Sequence, residues 1–150
     1  MLYVTKRMEF SASHRLYNPT FSEEKNEEVY DKCNNYHGHG HNYVLEVTVK
    51  GHPEPDTGYL IDLKKLKKIL NDVIISKVDH KHLNYDVEFF KNVIPTVENM
   101  AVIMWRELED KLPSGKLHKI KIYETPNSIV EYYGEETEVK YFDDINTAEK

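Results

Sequence analysis

The sequence predicts an α+β domain, an antiparallel β-sheet with two helices packed on one face. Three observations lead there. Two long stretches alternate apolar and polar residues with a period of two. Two others space their apolar residues for a helix. A closing pair of strand-like runs is joined by a Pro-Asn turn.

The first strand spans residues 2–13, and from Met8 its inward file reads Met8, Phe10, Ala12, His14, with a histidine ending an apolar row. Residues 18–36 form a polar excursion with a short helix expected near 23–30. Loops of that length inside a compact domain are usually functional. The second strand covers 39–50. Tyr43, Leu45, Val47 and Val49 share one face, and the same parity carried backward adds His41 and His39. After a turn region, Asp62 is a good N-cap for a helix with Leu63, Leu66, Leu70, Val73 and Ile74 on its buried side. Lys64, Lys65, Lys67 and Lys68 fill the other side, as a phosphate patch or a solvated face. Pro95 and Thr96 open the second helix, whose stripe is Val97, Ala101, Met104, Trp105, Leu108 and Leu112, and Pro113-Ser114-Gly115 stops it. Residues 116–124 and 128–133 are the hairpin.

Composition bounds what such a domain does. At 150 residues and 39% apolar content the chain suits one domain with its own core. The division expected is a single domain over 1–134 and an acidic tail over 135–150. The net charge of −6 is the wrong sign for general nucleic-acid binding, and the last sixteen residues carry −4 of it, so a near-neutral body can still hold a basic pocket for a small anion. No apolar run reaches the ~18 residues of a membrane span, and no secretory leader is expected. A single cysteine excludes an internal disulfide and points to a reducing, cytoplasmic setting.

The chemistry concentrates in Cys33-Asn34-Asn35-Tyr36-His37-Gly38-His39-Gly40-His41. Histidines two apart on a strand project to one face about 6–7 Å apart, close enough for both imidazoles to reach one ion. His14 can supply a third ligand from the first strand. Three histidines without a fourth protein ligand leave an open position, the mark of a catalytic zinc site. Cys33 reads as a fourth ligand, a buried bystander or a base. Asp79-His80 reads either as a carboxylate–imidazole pair or as a helix-end turn. Glu124 shares the parity of Ile120 and Ile122. It either faces water at the strand end or points inward, where a ligand edge with two parallel N–H donors would satisfy it.

Together these residues resemble the family of 6-pyruvoyltetrahydropterin synthase and its relative 6-carboxytetrahydropterin synthase. The resemblance runs over about residues 3–135. It is carried by Phe10-Ser11-Ala12-Ser13-His14-Arg15-Leu16 and by Cys33-Asn34-Asn35 with His39-Gly40-His41-Asn42-Tyr43. Further carriers are Val78-Asp79-His80-Lys81, Pro95-Thr96-Val97-Glu98-Asn99 and Tyr123-Glu124-Thr125.

The resemblance implies zinc on His14, His39 and His41, and a proton-transfer group of Cys33, Asp79 and His80 with Cys33 as general base. It makes Glu124 the anchor of a pterin's amino-pyrimidinone edge, with further pterin contacts at Thr96, Val97 and Glu98. Val97 departs from the threonine common at that place. The implied substrate is 7,8-dihydroneopterin triphosphate, which loses triphosphate without a redox cofactor. Lys6, Arg7 and Arg15 are candidates to hold that triphosphate. The implied assembly is a trimer whose sheets close into a barrel, the tunnelling-fold arrangement, with two rings stacked into a hexamer and active sites between subunits.

Two registers compete for the product. Cys33-x5-His39-Gly-His41 resembles the pyruvoyl-forming enzymes of tetrahydrobiopterin synthesis, whereas Cys33-x3-His37-Gly-His39 resembles the carboxy-forming enzymes of the queuosine route. Strand continuity into Asn42-Tyr43-Val44 favours the first. From another class, a non-catalytic pterin-binding protein with structural zinc would use Cys33 as a fourth ligand.

Overall fold

The computed structural model describes residues 1–143. Strand β1 (Leu2–His14) is followed by helix α1 (Glu23–Tyr30), a 3₁₀ turn (Asp31–Asn34) and strand β2 (His39–Gly51). Helix α2 (Leu63–Leu70) runs through a π turn (Asn71–Ile75) into the short helix α3 (Ser76–Val78). Strand β3 (Lys81–His82), a second 3₁₀ turn (Glu88–Phe90), helix α4 (Val97–Leu108) and the hairpin β4 (Lys116–Thr125) and β5 (Ser128–Tyr132) complete it.

The five strands lie in the order β3-β1-β2-β4-β5. β1 pairs antiparallel with β2 along its whole length, from Leu2↔Gly51 to His14↔His39. β2 with β4 and β4 with β5 are antiparallel too. The sheet is nonetheless mixed, because the two-residue β3 runs parallel to β1 at the edge. A strand that short has no periodicity to read, so this edge was not legible in the sequence. α1 occupies the stretch where a short helix was expected, a third helix beside the two that carry the core.

The core forms where the inward files of the strands meet the stripes of α2 and α4. Tyr43, Leu45, Val47, Ile120 and Ile122 are fully buried against Leu66, Leu70, Ile74, Met100, Met104 and Leu108. Truncating a buried leucine of this layer to alanine costs about 2–5 kcal/mol. The caps are those the residue types favour: Asp62 accepts from the Lys64 N–H at 2.8 Å, and Thr96 Oγ1 accepts from the Asn99 N–H at 3.2 Å. The other sheet face is polar, with Arg7 paired to Glu46 at 3.2 Å and Glu131 lying between Lys119 and Lys121.

The acidic tail is described as far as residue 143, and residues 144–150 lie outside the described part. Beyond β5 the chain packs side chains onto the body, with Val139 and Phe142 both 8% exposed. No helix among the described residues is long and apolar enough to cross a membrane.

Candidate active site

Register sets the site. At the end of the β1–β2 ladder His14 is directly opposite His39, and Ala12 opposite His41. Because successive side chains alternate faces, all three imidazoles point to the helix-covered side. Their ring centroids form a nearly regular triangle of 4.7, 4.8 and 5.2 Å. One ligand nitrogen from each ring lies within 4.8 Å of the others. Gly38 makes the turn into β2 possible: its φ is +78°, and a Cβ there would stand 2.7 Å from the His14 carbonyl oxygen.

His14 is completely buried, and its Nδ1–H donates to the Pro95 carbonyl at 2.9 Å. That bond fixes the tautomer, leaving Nε2 as a lone-pair donor facing His39 Nε2 at 3.2 Å. The Tyr43 hydroxyl is 3.4 Å from the same Nδ1. Burial, reinforced by the other histidines and only partly opposed by the Pro95 bond, pushes the His14 pKa down to about 4. Burial and His41 lower that of His39 as well. Neutral imidazoles are the metal-binding form. Two further ring nitrogens, His39 Nδ1 and His41 Nε2, are buried without a hydrogen-bond partner among the described residues. A cation would take one lone pair from each ring, and a converging set of three imidazoles fits a metal ion. His37 is not part of the cluster. It stands exposed on the preceding turn with its ring against Tyr36 at 4.9 Å.

Glu124 reaches the same space from β4, with Oε1 3.9 Å from His41 Nε2, so the inward reading of its parity holds. Cys33 sits in the 3₁₀ turn after α1, half-buried, its carbonyl fastened by the Leu16 N–H at 2.8 Å. Burial raises its thiol pKa, and the charges of Glu124 and Asp31 raise it further. A dication bound at the histidines would act on this thiol in the opposite sense.

Asp79 and His80 are elsewhere. They follow α3 at the outer edge of β1, where Asp79 Oδ1 accepts from the Ser11 N–H at 2.9 Å and lies 3.0 Å from His80 Nδ1. The His80 N–H donates to the Ser11 carbonyl at 2.6 Å, and its ring is 82% exposed. The Ser11 bond, with His80 in support, holds the Asp79 carboxyl below its usual range. His80 lines a cleft of about 370 Å³ with Ser11, Ser13 and Asn42, of opposite parity to the histidine file, and with Ala12 and His41 of that file. Among the described residues no hydrogen bond or ion pair joins Asp79 or His80 to Cys33.

The turn before α4 touches the site through Pro95. Thr96 spends its hydroxyl on the helix cap, Val97 is buried and Glu98 is exposed. Of the basic residues considered for a triphosphate, Arg7 pairs with Glu46, and Arg15 turns to the Cys33 turn, giving Nε–H to the Asn34 carbonyl at 2.9 Å. Sequence reasoning missed the Pro95 carbonyl, the Tyr43 hydroxyl and this use of Arg15. Backbone acceptors carry no residue-type signal. Tyr43, however, was legible as the next residue in the histidine file.

The profile of the family described as 6-pyruvoyl tetrahydropterin synthase matches residues 3–135. The chain belongs to this family. The human protein named 6-pyruvoyl tetrahydrobiopterin synthase is 49% identical over 132 residues, covering 88% of this chain and 91% of its own. The structure of Caenorhabditis elegans 6-pyruvoyl tetrahydropterin synthase superposes with a TM-score of 0.84 at 42% identity, over 89% of this chain and 95% of that one. A Rickettsia bellii protein named 6-carboxy-5,6,7,8-tetrahydropterin synthase is 29% identical over 87% of this chain and 99% of its own. Membership in the 6-pyruvoyl tetrahydropterin synthase family places the histidine triangle and Glu124 in an enzyme fold whose sheet stays open in the single chain.

Proposed function

We propose that the protein is a zinc-dependent lyase converting 7,8-dihydroneopterin triphosphate to 6-pyruvoyltetrahydropterin with loss of triphosphate. The observation that carries this reading is the convergence of His14, His39 and His41, with His14 locked by Pro95 and Glu124 beside His41. The identities of 49% to a pyruvoyl-type relative and 29% to a carboxy-type one support the pyruvoyl product, as does the exposed position of His37 outside the triangle.

His14, His39 and His41 would hold the zinc, whose ligand preference suits an all-imidazole set. Bound there, zinc would supply Lewis acidity toward hydroxyl oxygens of the substrate side chain. Glu124 offers two carboxylate oxygens to the parallel N–H donors of the pterin's amino-pyrimidinone edge, which fixes the ring and aims its side chain at the histidines. Main-chain groups at Thr96 and Val97, and Glu98, are proposed as further pterin contacts. Cys33 acts as the base that removes and returns side-chain protons, with Asp79 orienting His80 as its partner. Since one chain keeps Asp79 and His80 on the far edge of β1, the group is completed by a neighbouring subunit. The open sheet, with the two-residue β3 and five-residue β5 at its edges, suits the closed trimer and stacked hexamer of the proposal. The single cysteine supports a cytoplasmic setting.

Purified protein incubated with 7,8-dihydroneopterin triphosphate should release triphosphate and give a product with the mass of 6-pyruvoyltetrahydropterin. Acetaldehyde with a 6-carboxypterin would transfer the chain to the carboxy-forming activity. No turnover with a saturated, Cys33-ligated zinc would leave the non-catalytic reading.

A further inference from the structure

The family match ends at residue 135, but the chain stays on the body for at least seven residues more. Gly134 starts this path. Its φ is +85°, and a Cβ there would stand 2.2 Å from the Trp105 ring, so the backbone crosses that indole where no other residue fits. Arg106 then donates to the Thr137 carbonyl at 2.7 Å, and Val139 enters the main core. Phe142 does something different. It leaves the main core and forms a separate apolar cluster with Tyr17 and Ile94, while its N–H donates to the Asn92 carbonyl at 2.8 Å.

Both of its partners lead to the candidate active site. The Tyr17 ring carries the Arg15 guanidinium at 4.4 Å, and the Tyr36 ring flanks the same group at 5.3 Å. Held there, Arg15 grips Asn34 twice, Nε to the carbonyl and a terminal nitrogen to Oδ1 at 3.3 Å. Asn34 adjoins Cys33, whose carbonyl is tied to Leu16. On the other side Ile94 precedes Pro95, whose carbonyl holds His14.

We propose that residues 135–142 are a strap that sets the active-site geometry. Phe142 is its positioning residue, acting through Tyr17 and Arg15 on the Cys33 turn and through Ile94 on the Pro95–His14 contact. The family match ends at residue 135, and the strap runs almost wholly beyond it. The inference rests on the reading of Cys33 as the proton-transfer residue for its effect on turnover, but not for its effect on the thiol.

The test compares Phe142→Ala, Phe142→Leu and Val139→Ala in the full chain. Cys33 alkylation by iodoacetamide is followed by mass, with kcat and KM measured on 7,8-dihydroneopterin triphosphate. Phe142→Ala should change the alkylation rate several-fold and lower kcat by about tenfold with little change in KM, as a misplaced base would. Phe142→Leu should recover most of both. Val139→Ala, which removes a strap residue packed in the main core and not in the Tyr17 cluster, should lower Tm and move both much less than Phe142→Ala does. Wild-type alkylation in Phe142→Ala, or an equal change in Val139→Ala, would overturn the strap. If the wild type turns over no substrate, the lyase reading fails by itself, and the alkylation comparison still decides the strap.

Discussion

His14 and His39 face each other across the last rung of the β1–β2 ladder with their Nε2 atoms 3.2 Å apart, and the Pro95 carbonyl dictates which nitrogen His14 presents. A one-residue slip in this ladder would turn the histidine file to the polar face, so the thirteen-pair register and the site are one feature.

Glu124 has two separable effects. Glu124→Gln should raise KM by about 10- to 100-fold, the loss of a charge-assisted hydrogen-bonded contact worth about 1.5–3 kcal/mol. The same change should lower the Cys33 pKa. Burial is the larger cause of its upward shift, but the Glu124 charge adds to it. The alkylation rate of metal-free protein as a function of pH reads this directly: its midpoint should move to lower pH, and an unmoved midpoint would mean the two groups are not coupled.

Thr96 separates binding from support. Its hydroxyl caps α4, so Thr96→Ala should cost about 1 kcal/mol in urea unfolding. If the pterin meets only main-chain groups there, KM should stay within about twofold of wild type, the uniform-binding criterion. A large rise in KM would assign the hydroxyl to the substrate.

Asp79 predicts an acid-side dependence. Its folded carboxyl is held below the usual carboxylate range, chiefly by the Ser11 N–H and also by His80. A depressed carboxylate contributes its full stability above the unfolded pKa and loses it as pH falls through the folded one. Asp79→Ala should therefore destabilise the fold at neutral pH, by less than about 1 kcal/mol because solvent screens this partly exposed carboxylate, and the difference from wild type should shrink below pH about 4. Denaturant midpoints at both pH values check this. A difference that grows on acidification would contradict it.

The separation of Cys33 from Asp79 and His80 within one chain gives a complementation test. Cys33→Ala and His80→Ala should each be inactive alone. Refolded together, they should recover roughly a quarter of wild-type activity if each site draws one group from each of two subunits. No recovery in mixed oligomers would place the whole group in one chain.

The sequence made the fold legible where periodicity is long. Met8 to His14, His39 to Val49 and the stripes of α2 and α4 each repeat often enough to declare a face. The same parity put His14, His39 and His41 on one face and left Glu124 open between solvent and the site. What escaped has a shared physical cause, the absence of a side-chain pattern. β3 is two residues long, the Pro95 carbonyl belongs to the backbone, and Arg15 pairs with a main-chain oxygen across nineteen residues. Asp79 and His80 were recognised by resemblance as part of the site. Their place on the outer edge of β1 depends on how α3 returns to Ser11, and local spacing cannot report that.

The central claim is tested most directly by metal content. Wild-type protein purified without chelator and the His14→Ala and His39→Ala variants should be compared by elemental analysis and zinc titration. One ion per chain in the wild type, with binding weakened by at least about 100-fold in both variants, is the predicted result. A wild-type protein with no stoichiometric ion, or variants that keep theirs, would contradict a catalytic centre built on these three imidazoles.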